Sequence, residues 1–367
     1  LRRPALSAAL AGGLLLALAA PALQLRIAPQ GIESFPKSLA VVQTYDRMQQ
    51  AFPGTALPAS VVVKAPNVNA PAVREAIDRL EQRALAGGYA FEPMTVAVNR
   101  DATVADVTIP IAGNGTDAAS STAINLLRDS IVPETVGALP NTEAGVTGLT
   151  ARWRDQADKL KSDLTPVLAF VLLFAFGLML VAFRSLVIAA KAVLLNLLSV
   201  AAAYGVLVLV FQHGVGKGLL GVTTADGIET VVPLLLFVIL FGLSMDYHVF
   251  IISRIRETFD RGQSMDDAVA HGIKSTAGVV TSAAIVMVFV FAVFGTLSMP
   301  FFKQFGVGLA AAILIDATIV RGVLLPATMK LLGDWNWYLP SWLRWLPQIG
   351  REEPAPAPPT KPAHVSA

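Results

Sequence analysis

Six stretches of the chain are long and apolar enough to cross a lipid bilayer as helices. Spanning the hydrocarbon core takes roughly 20 mostly apolar residues. The segments are Pro4 to Leu25, Leu164 to Phe183, Leu186 to Phe211, Val231 to Ile252, Gly278 to Leu297 and Phe305 to Leu325. The pattern predicts a membrane protein with six helical spans, which we number first to sixth.

The first segment has a second interpretation. Arg2 and Arg3, an Ala/Leu-rich run and the sequence AAPA at residues 19–22 are also typical of a secretory signal peptide. The run is long for the apolar region of such a peptide, and no initiator Met precedes it. We therefore favour an uncleaved span. The start at Leu1 also leads us to expect that the chain is a piece of a longer protein.

Residues 26–162, between the first and second spans, have the patterns of a folded domain. The segments ASVVVKA, TVAVN, ADVTIPIAG and AGVTG predict strands, because they are rich in β-branched residues and partly alternate. Helical spacing of apolar residues covers 38–52, 70–88 and 118–131, and a charged helix runs from Ala151 into the second span. The order resembles two βαβ-type units, which predicts a small ferredoxin-like α/β domain.

Lysine and arginine positions predict the orientation, because cytoplasmic loops carry the excess of these residues. One side of the membrane would hold Arg2, Arg3, Arg184, Lys191, Arg254, Arg256, Arg261, Lys274, Lys330, Arg344 and Arg351, against Lys217 and Lys303 on the other. This places both termini in the cytoplasm and the α/β domain outside. The predicted organisation is a span at 1–25, the domain at 26–162, five spans at 163–330 and a largely disordered cytoplasmic tail at 331–367. A helix beginning after Ser264 is expected to join the fourth and fifth spans.

Composition agrees with a membrane protein and narrows the chemistry. The chain is 54% hydrophobic and 15% charged, whereas soluble domains carry about 25% charged residues. The absence of cysteine excludes disulfides and thiolate metal sites. The sequence has no Walker loop, no HExxH, no GxSxG and no metal-ligand cluster. We therefore expect no cofactor and no nucleic-acid partner, and any transport must use an ion gradient.

Two carboxylates lie near the middle of apolar spans. Asp246 is in the fourth span and Asp316 in the sixth. A charged carboxylate at the bilayer centre costs roughly 2.5–3.5 kcal/mol even on the lenient insertion scale. Each acid is therefore either a proton or ion site facing the bundle interior, or a protonated, internally hydrogen-bonded group that only helps the helices pack.

Helical geometry restricts which groups can meet these acids. Neighbouring residues on a helix point about 100° apart, so Tyr247 cannot bond usefully to Asp246, and each should meet a group on another helix. The face that carries Asp246 is shared by Gly242, Val249 and Ser253. Arg321 lies five residues beyond Asp316, about 140° away on an α-helix, which predicts that the two do not pair.

Three further residues of the fourth span are candidates for a proton relay. Arg254 is either a relay member or an anchor that snorkels to the headgroups. His248 is either a relay member or a polar packing residue at the helix end. Ser244 is a possible relay member on the same helix.

The sequence resembles the second half of an MmpL-type transporter of the resistance–nodulation–division (RND) superfamily. The resemblance rests on FGLSMDYHVFIISRIRE, SMDDAVAHGIKSTAGVVTSAA and GVGLAAAILIDATIVRGVLLPATMKLLGDWNWYLP, with VTGLTARWRDQ before the second span, and it covers nearly the whole chain. It implies a twelve-span protein made of two similar halves, so that the first segment here would be span seven.

The resemblance also implies roles for individual residues. In this family, an Asp-Tyr pair on the fourth span faces one on the tenth, and the tenth-span pair corresponds to Asp246 and Tyr247. Arg254 matches the arginine of the family's SRIRE segment, and Asp316 matches the acid of LIDATIVR. His248 departs from the acidic residue often found at its position. The partner Asp-Tyr pair would come from the missing N-terminal half or from self-association.

The function that these features predict is proton-driven export of lipids or other amphiphilic molecules across the cytoplasmic membrane. Membrane lipids and the amphiphilic cargo would be its partners. One alternative is a SecDF-like proton-driven protein-export motor, which also uses six spans, an outside domain and a membrane acid. A remote alternative is an intramembrane aspartyl protease. That chemistry needs two carboxylates close enough to share a proton, and the YD and GxGD motifs of such proteases are absent near Asp246 and Asp316.

Overall fold

The computed structural model describes residues 3–29, 31–216, 218 and 227–347. Within these ranges, six helices are long and apolar enough to cross a membrane: Pro4–Gln24, Leu149–Phe183, Leu186–Gln212, Val232–Asp260, Met265–Gly295 and Pro300–Trp337. The predicted six spans are confirmed. The predictions for Arg2, Lys217, Arg351 and the Pro/Ala-rich end of the tail concern residues outside the described ranges.

Several spans are composite or longer than their apolar cores. The first is α-helical over Pro4–Ala19 and 3₁₀ over Ala20–Gln24. The third is α-helical over Leu186–Leu207 and ends in a π-helical turn, Val208–Gln212. The sixth combines an α-helix, a π-helix, an α-helix and a 3₁₀ turn: Pro300–Ile315, Asp316–Leu324, Leu325–Leu332 and Gly333–Trp337.

The helix predicted between the fourth and fifth spans is the beginning of the fifth span itself. The Ser264 hydroxyl accepts a hydrogen bond from the Asp267 amide at 3.2 Å, which satisfies an end-of-helix donor as expected of an N-cap. The helix then continues without a break from Met265 to Gly295. The second span is likewise continuous with the charged helix before it, and together they run from Leu149 to Phe183.

The domain between the first two spans is built on a four-stranded sheet. Its strands are β1 (Ala59–Lys64), β2 (Thr95–Val98), β3 (Val104–Ile109) and β4 (Glu143–Thr147), in the order β2-β3-β1-β4. Every neighbouring pair is antiparallel, so β1 and β2 are parallel with β3 between them. This is the split βαβ arrangement of a ferredoxin-like fold, and it confirms the predicted fold class.

Two helical connections cover one face of this sheet and form the core of the domain. The helix Pro71–Ala86 links β1 to β2, and Ala118–Leu126 with the π-turn Leu127–Ile131 links β3 to β4. Alternate residues of β1 and β3 are buried, because successive side chains of a strand point to opposite faces. A further helix, Ala40–Ala51, precedes β1.

Arg128 ties the domain to the base of the second span. Its guanidinium donates to both carboxylate oxygens of Asp155, at 2.5 and 2.8 Å, and to the Val146 carbonyl oxygen at 3.2 Å. The hydrogen bond to Asp155 raises the pKa of Arg128, so the guanidinium stays charged. A planar two-point contact of this kind fixes orientation as well as distance. The sheet and the second span are therefore joined firmly.

The first and third spans cross closely at Gly205. A Cβ added at Gly205 would collide with the Leu18 carbonyl oxygen, whereas one added at Gly177 in the second span would meet no atom within 4 Å. Small residues let membrane helices approach to backbone contact. Gly205 is therefore the residue that permits this crossing.

Replacing Gly205 with Ala should lower the free energy of unfolding by about 1–3 kcal/mol, as overpacking does. The matched change Gly177→Ala should leave it unchanged or raise it slightly, because Ala is the better helix former by about 1 kcal/mol. Thermal unfolding of the two purified variants in detergent measures the difference. Equal melting temperatures would contradict the close crossing.

The chain after the sixth span folds back over the end of the bundle that lies away from the domain. The Leu186 amide donates to the Tyr338 carbonyl oxygen at 3.1 Å, and Arg184 Nη2 donates to the Arg344 carbonyl oxygen at 2.8 Å. Residues 331–347, which the sequence assigned to a largely disordered tail, thus form helical turns that pack on the bundle. Asn336 is buried there and Trp337 packs on Phe259 with ring centroids 5.7 Å apart, whereas Trp335 and Tyr338 stay exposed.

Candidate functional site

A buried ion pair lies in the middle of the sixth span. Arg321 Nη2 donates to Asp316 Oδ2, and the two side chains are 4% and 3% exposed. The prediction that Asp316 and Arg321 do not pair is therefore wrong. It assumed an α-helix, whereas residues Asp316–Leu324 form a π-helix. In a π-helix the backbone repeat is i→i+5, which brings residues five apart onto one side.

Ser244 of the fourth span joins this pair and connects it to the third span. Its hydroxyl oxygen lies 2.9 Å from Asp316 Oδ2 and 2.5 Å from Asn196 Oδ1. A hydroxyl has a single hydrogen, so Ser244 donates to one of these oxygens at a time. With an ionised Asp316 it can donate to the carboxylate. With a protonated Asp316 it can accept from the carboxyl and donate to Asn196, so both protonation states have a suitable partner.

Tyr247 and His248 contact the same pair from the fourth span. The Arg321 guanidinium lies over the Tyr247 ring, 4.3 Å from its centroid, a cation–π contact. The prediction that Tyr247 meets a group on another helix is confirmed. His248 is fully buried, and its Nδ1 lies 3.0 Å from the Ser244 carbonyl oxygen. The structure thus brings together four of the predicted candidates: Ser244, Tyr247, His248 and Asp316. With Arg321 and Asn196 they form what we call the buried cluster.

Asp246 lies on the opposite side of the fourth span, on the exposed surface of the bundle. It forms no hydrogen bond or ion pair with any residue that the structure describes. Asp246 is two residues from Ser244, about 200° around the helix, so burial of Ser244 turns Asp246 outward. The expectation that Asp246 faces the interior is wrong for this six-helix bundle taken by itself.

The predicted common face of the fourth span is exposed at three of its four positions, and Val249 is half-buried. Gly242 and Ser253 are exposed together with Asp246, and a Cβ added at Gly242 would meet no atom within 4 Å. An exposed carboxylate beside a glycine in a membrane span is unusual, because intramembrane acids almost always face protein or a water-filled cavity. This face therefore has the features of a surface that another helix covers.

Arg254 is not brought to the buried cluster. Its Nη1 donates to Glu257 Oε2 at 2.8 Å, and its side chain is 52% exposed. Glu257 also accepts from Arg261 Nη2 at 2.5 Å. Surface ion pairs of this kind contribute little to stability. The position of Arg254 suits an anchor at the end of the span, and its role in a relay stays a prediction.

Several polar atoms in the buried cluster, or within one helical turn of it, are buried without a hydrogen-bond partner in the described part of the chain. They are Asn196 Nδ2, Ser199 Oγ, His248 Nε2, Asp316 Oδ1 and Arg321 Nε. Buried polar groups in proteins are nearly always paired, so this concentration of unused donors and acceptors points to function. The described residues contain no group of three or more His, Asp or Glu side chains that could hold a metal ion.

Sequence reasoning missed Asn196 and Ser199. Both lie in the third span, one turn apart, and both are buried. The sequence contains a signal for them, because an Asn and a Ser three residues apart share one face of a helix in a span that is otherwise apolar. The interhelical contact from Asn196 to Ser244 could not be anticipated from either span alone.

Comparison with known proteins identifies the family of the chain. The profile of the MMPL family matches residues 33–358. The chain belongs to the MMPL family. The MMPL chain is 37% identical over 363 residues to the mycolic acid-containing lipids exporter MmpL11 of Mycolicibacterium smegmatis and to the heme uptake protein MmpL11 of Mycobacterium tuberculosis; each match covers 97% of this chain and 37% of the relative. It is 36% identical over 203 residues to the trehalose monomycolate exporter MmpL3 of Mycolicibacterium smegmatis, covering 55% of this chain and 20% of the relative.

The MMPL chain therefore spans about 37% of the length of its MmpL11 relatives. It is a multi-pass membrane protein with part of the MmpL architecture. The resemblance drawn from the sequence motifs is confirmed, and the family is one of transporters, not of enzymes. The aspartyl protease alternative also fails on geometry, since Asp316 is held by Arg321 inside the bundle while Asp246 lies on its surface.

Proposed function

We propose that this chain forms one half of a proton-driven transporter that exports lipids or other amphiphilic molecules across the cytoplasmic membrane. The observation that supports it is the buried Asp316–Arg321 pair, in contact with Ser244 and Tyr247 and surrounded by unpaired polar atoms. The carboxylate of this pair can take up and release a proton without the help of a metal ion or a nucleotide.

The pair converts a protonation into a change of packing. While Asp316 is ionised, it neutralises Arg321 in a place where an unpaired charge is costly by several kcal/mol. Protonation of Asp316 removes that compensation, and the guanidinium must find other partners. It already lies within reach of the Ser244 carbonyl and hydroxyl oxygens, at 3.4 and 3.3 Å. Protonation of Asp316 therefore favours a shift of the sixth span against the fourth.

The open face of the fourth span receives the second half of the transporter in this proposal. Asp246 lacks a partner within the described residues, and Gly242 leaves room for a helix backbone. An Asp-Tyr pair from the missing half, or from a second copy, would meet Asp246 and Tyr247 there. Since the Tyr247 ring already contacts Arg321, that residue links the face between the halves to the buried pair.

Charge distribution supports the proposed orientation, and the relatives support the proposed cargo. Basic residues at the end of the bundle away from the domain include Arg184, Arg254, Arg256, Arg261, Lys330 and Arg344. We assign that end to the cytoplasm by the positive-inside rule, and the ferredoxin-like domain to the outside. Two relatives are named as exporters of mycolic acid-containing lipids and of trehalose monomycolate, which supports a lipidic cargo.

Reconstitution of the assembled transporter into vesicles tests the proposal. An imposed pH gradient should drive movement of a fluorescent lipid across the membrane, because a gradient supplies the free energy for each proton moved; a potential of 100 mV alone supplies about 2.3 kcal/mol per charge. A protonophore should abolish the movement. Lipid movement that is equally fast without a gradient would overturn the proton coupling.

A further inference from the structure

His248 is a buried base with a free nitrogen. Its Nδ1 lies 3.0 Å from the Ser244 carbonyl oxygen, and a carbonyl oxygen only accepts hydrogen bonds. Nδ1 therefore carries the hydrogen, and Nε2 of the neutral ring has a lone pair. Nε2 is buried and has no hydrogen-bond partner among the described groups. The ring is thus prepared to accept a proton at Nε2.

Three charged groups lie on the helices that pack against the fourth span. Asp316 and Arg321 lie on the sixth span, and Lys191 lies on the third. Asp316 and Arg321 neutralise each other, so Lys191 is the extra cation in the neighbourhood. An imidazolium at His248 and an ammonium at Lys191 would repel each other. A state in which only one of the two residues is protonated is therefore more favourable than a state in which both are charged.

The surroundings of Lys191 are unfavourable for a permanently charged amine. The residue is only 7% exposed, and its Nζ donates to Asn336 Oδ1 at 2.8 Å. A neutral amide oxygen does not compensate a buried ammonium as a carboxylate would. Buried lysines change protonation state readily, whereas arginine does not.

Asn336 is fixed by its own hydrogen bonds so that its carbonyl oxygen points at Lys191. It is fully buried, and its Nδ2 donates to the Met329 and Gly333 carbonyl oxygens at 2.7 and 2.6 Å. The Ser185 hydroxyl donates to the Asn336 main-chain oxygen at 2.5 Å. The turn Gly333–Trp337 therefore closes the end of the bundle over Lys191.

Three other basic groups at this end have partners of their own. Lys330 pairs with Asp266 at 3.4 Å, Arg256 pairs with Asp260 at 3.0 Å, and Arg184 bonds a main-chain oxygen. The first span and the membrane part of the second, residues 4–24 and 164–183, contain no titratable side chain. Among the described residues, Lys191 and His248 are the buried titratable groups beside the Asp316–Arg321 pair.

Lys191 and His248 lie at about the same level of the bundle. The third and fourth spans run in opposite directions and meet at the contact between Asn196 and Ser244. Toward the end that Asn336 closes, Lys191 lies five residues from Asn196, about 7.5 Å along an α-helix, and His248 lies four residues from Ser244, about 6 Å. The flexible four-carbon stem of Lys191 lets Nζ lie either at Asn336 or nearer the buried cluster. Hydrogen bonds thus hold Lys191 at Asn336 on one side of this gap and Asn196 and Ser244 at Asp316 on the other.

We propose that Lys191 carries protons between His248 Nε2 and the end of the bundle that Asn336 closes, an inference that rests on the proposed proton-coupled function. The neutral Lys191 amine takes a proton from the His248 imidazolium, directly or through a water molecule, which restores the neutral ring. The resulting ammonium returns to Asn336 and releases its proton to water at that end. One proton thus enters and one leaves, and both side chains are regenerated.

Lys191→Arg separates proton carrying from a structural role. Arg keeps the positive charge and can donate to Asn336, but it stays protonated at all relevant pH values. Lys330→Arg at the same end is the matched control. Both variants and Lys191→Met are reconstituted as the assembled transporter, and proton influx is followed with a pH-sensitive dye under an imposed gradient, between about pH 5 and pH 8, where histidine titrates.

We expect Lys191→Arg and Lys191→Met each to slow proton influx at least tenfold and to flatten its pH dependence, with wild-type influx in Lys330→Arg. Wild-type influx and an unchanged pH profile in Lys191→Arg would overturn the inference, whatever the folding of the Met variant. A wild-type transporter that shows no gradient-driven influx would instead overturn the proposed function and this inference with it.

Discussion

Asp246→Asn will stop proton-coupled transport while the protein remains folded and inserted. The carboxylate forms no hydrogen bond or ion pair with the described residues of its own chain and lies on an exposed face. Substitutions at such positions usually change stability by no more than about 0.5 kcal/mol. Asn has nearly the same shape but cannot bind and release a proton. Removing a positioned proton-transfer group typically costs about 100-fold or more in rate, and we expect a loss of that size in gradient-driven lipid export.

Ser253→Ala provides the control for Asp246→Asn. Ser253 is on the same exposed face of the fourth span, and its hydroxyl bonds only the Val249 carbonyl oxygen of its own helix, at 2.6 Å. Transport and melting temperature should both match wild type. Undiminished export by Asp246→Asn would remove Asp246 from the relay. A large fall in its melting temperature would show that the residue is structural.

Arg321→Met should be among the most destabilising single changes in the membrane bundle. It leaves Asp316 buried without its counter-charge, and breaking a buried pair by removing one partner costs about 3–5 kcal/mol. Asp316→Leu should be comparably harmful, because it leaves Arg321 unpaired. The double variant Asp316→Leu with Arg321→Met should recover most of the loss, since replacing a whole buried pair by apolar residues is often neutral or stabilising.

Unfolding of the four proteins in detergent, as a double-mutant cycle, measures the coupling between Asp316 and Arg321. A strongly non-additive result is expected, because residues in direct contact share one interaction. If the losses of the single variants simply add in the double variant, the π-helical pairing is wrong. The double variant should remain inactive in transport even where its stability is restored, which separates the role of the pair in coupling from its role in folding.

The secondary-structure elements of this protein could be predicted from its sequence. The six spans, the four strands and the N-cap at Ser264 follow from local periods and local hydrogen bonding. A stretch of about 20 apolar residues has few alternatives to a membrane helix. The motif around Asp246 and Tyr247 was sufficient to indicate the family. The acid at Asp316 was also recognisable as a candidate, because a carboxylate within an apolar span is costly.

Tertiary structure decided which of these groups meet. Whether Arg321 reaches Asp316 depends on a shift from i→i+4 to i→i+5 backbone bonding, which the side-chain pattern of the span does not reveal. Burial of Ser244 and His248, and therefore exposure of Asp246, depends on how the fourth span is rotated against its neighbours. Lys191 and Asn336 are 145 residues apart and meet only because the last turn of the sixth span, Gly333–Trp337, packs against the beginning of the third. Sequence period determines the elements because it acts within one helix or strand, whereas rotation, register and long-range contacts are fixed only when the helices pack together.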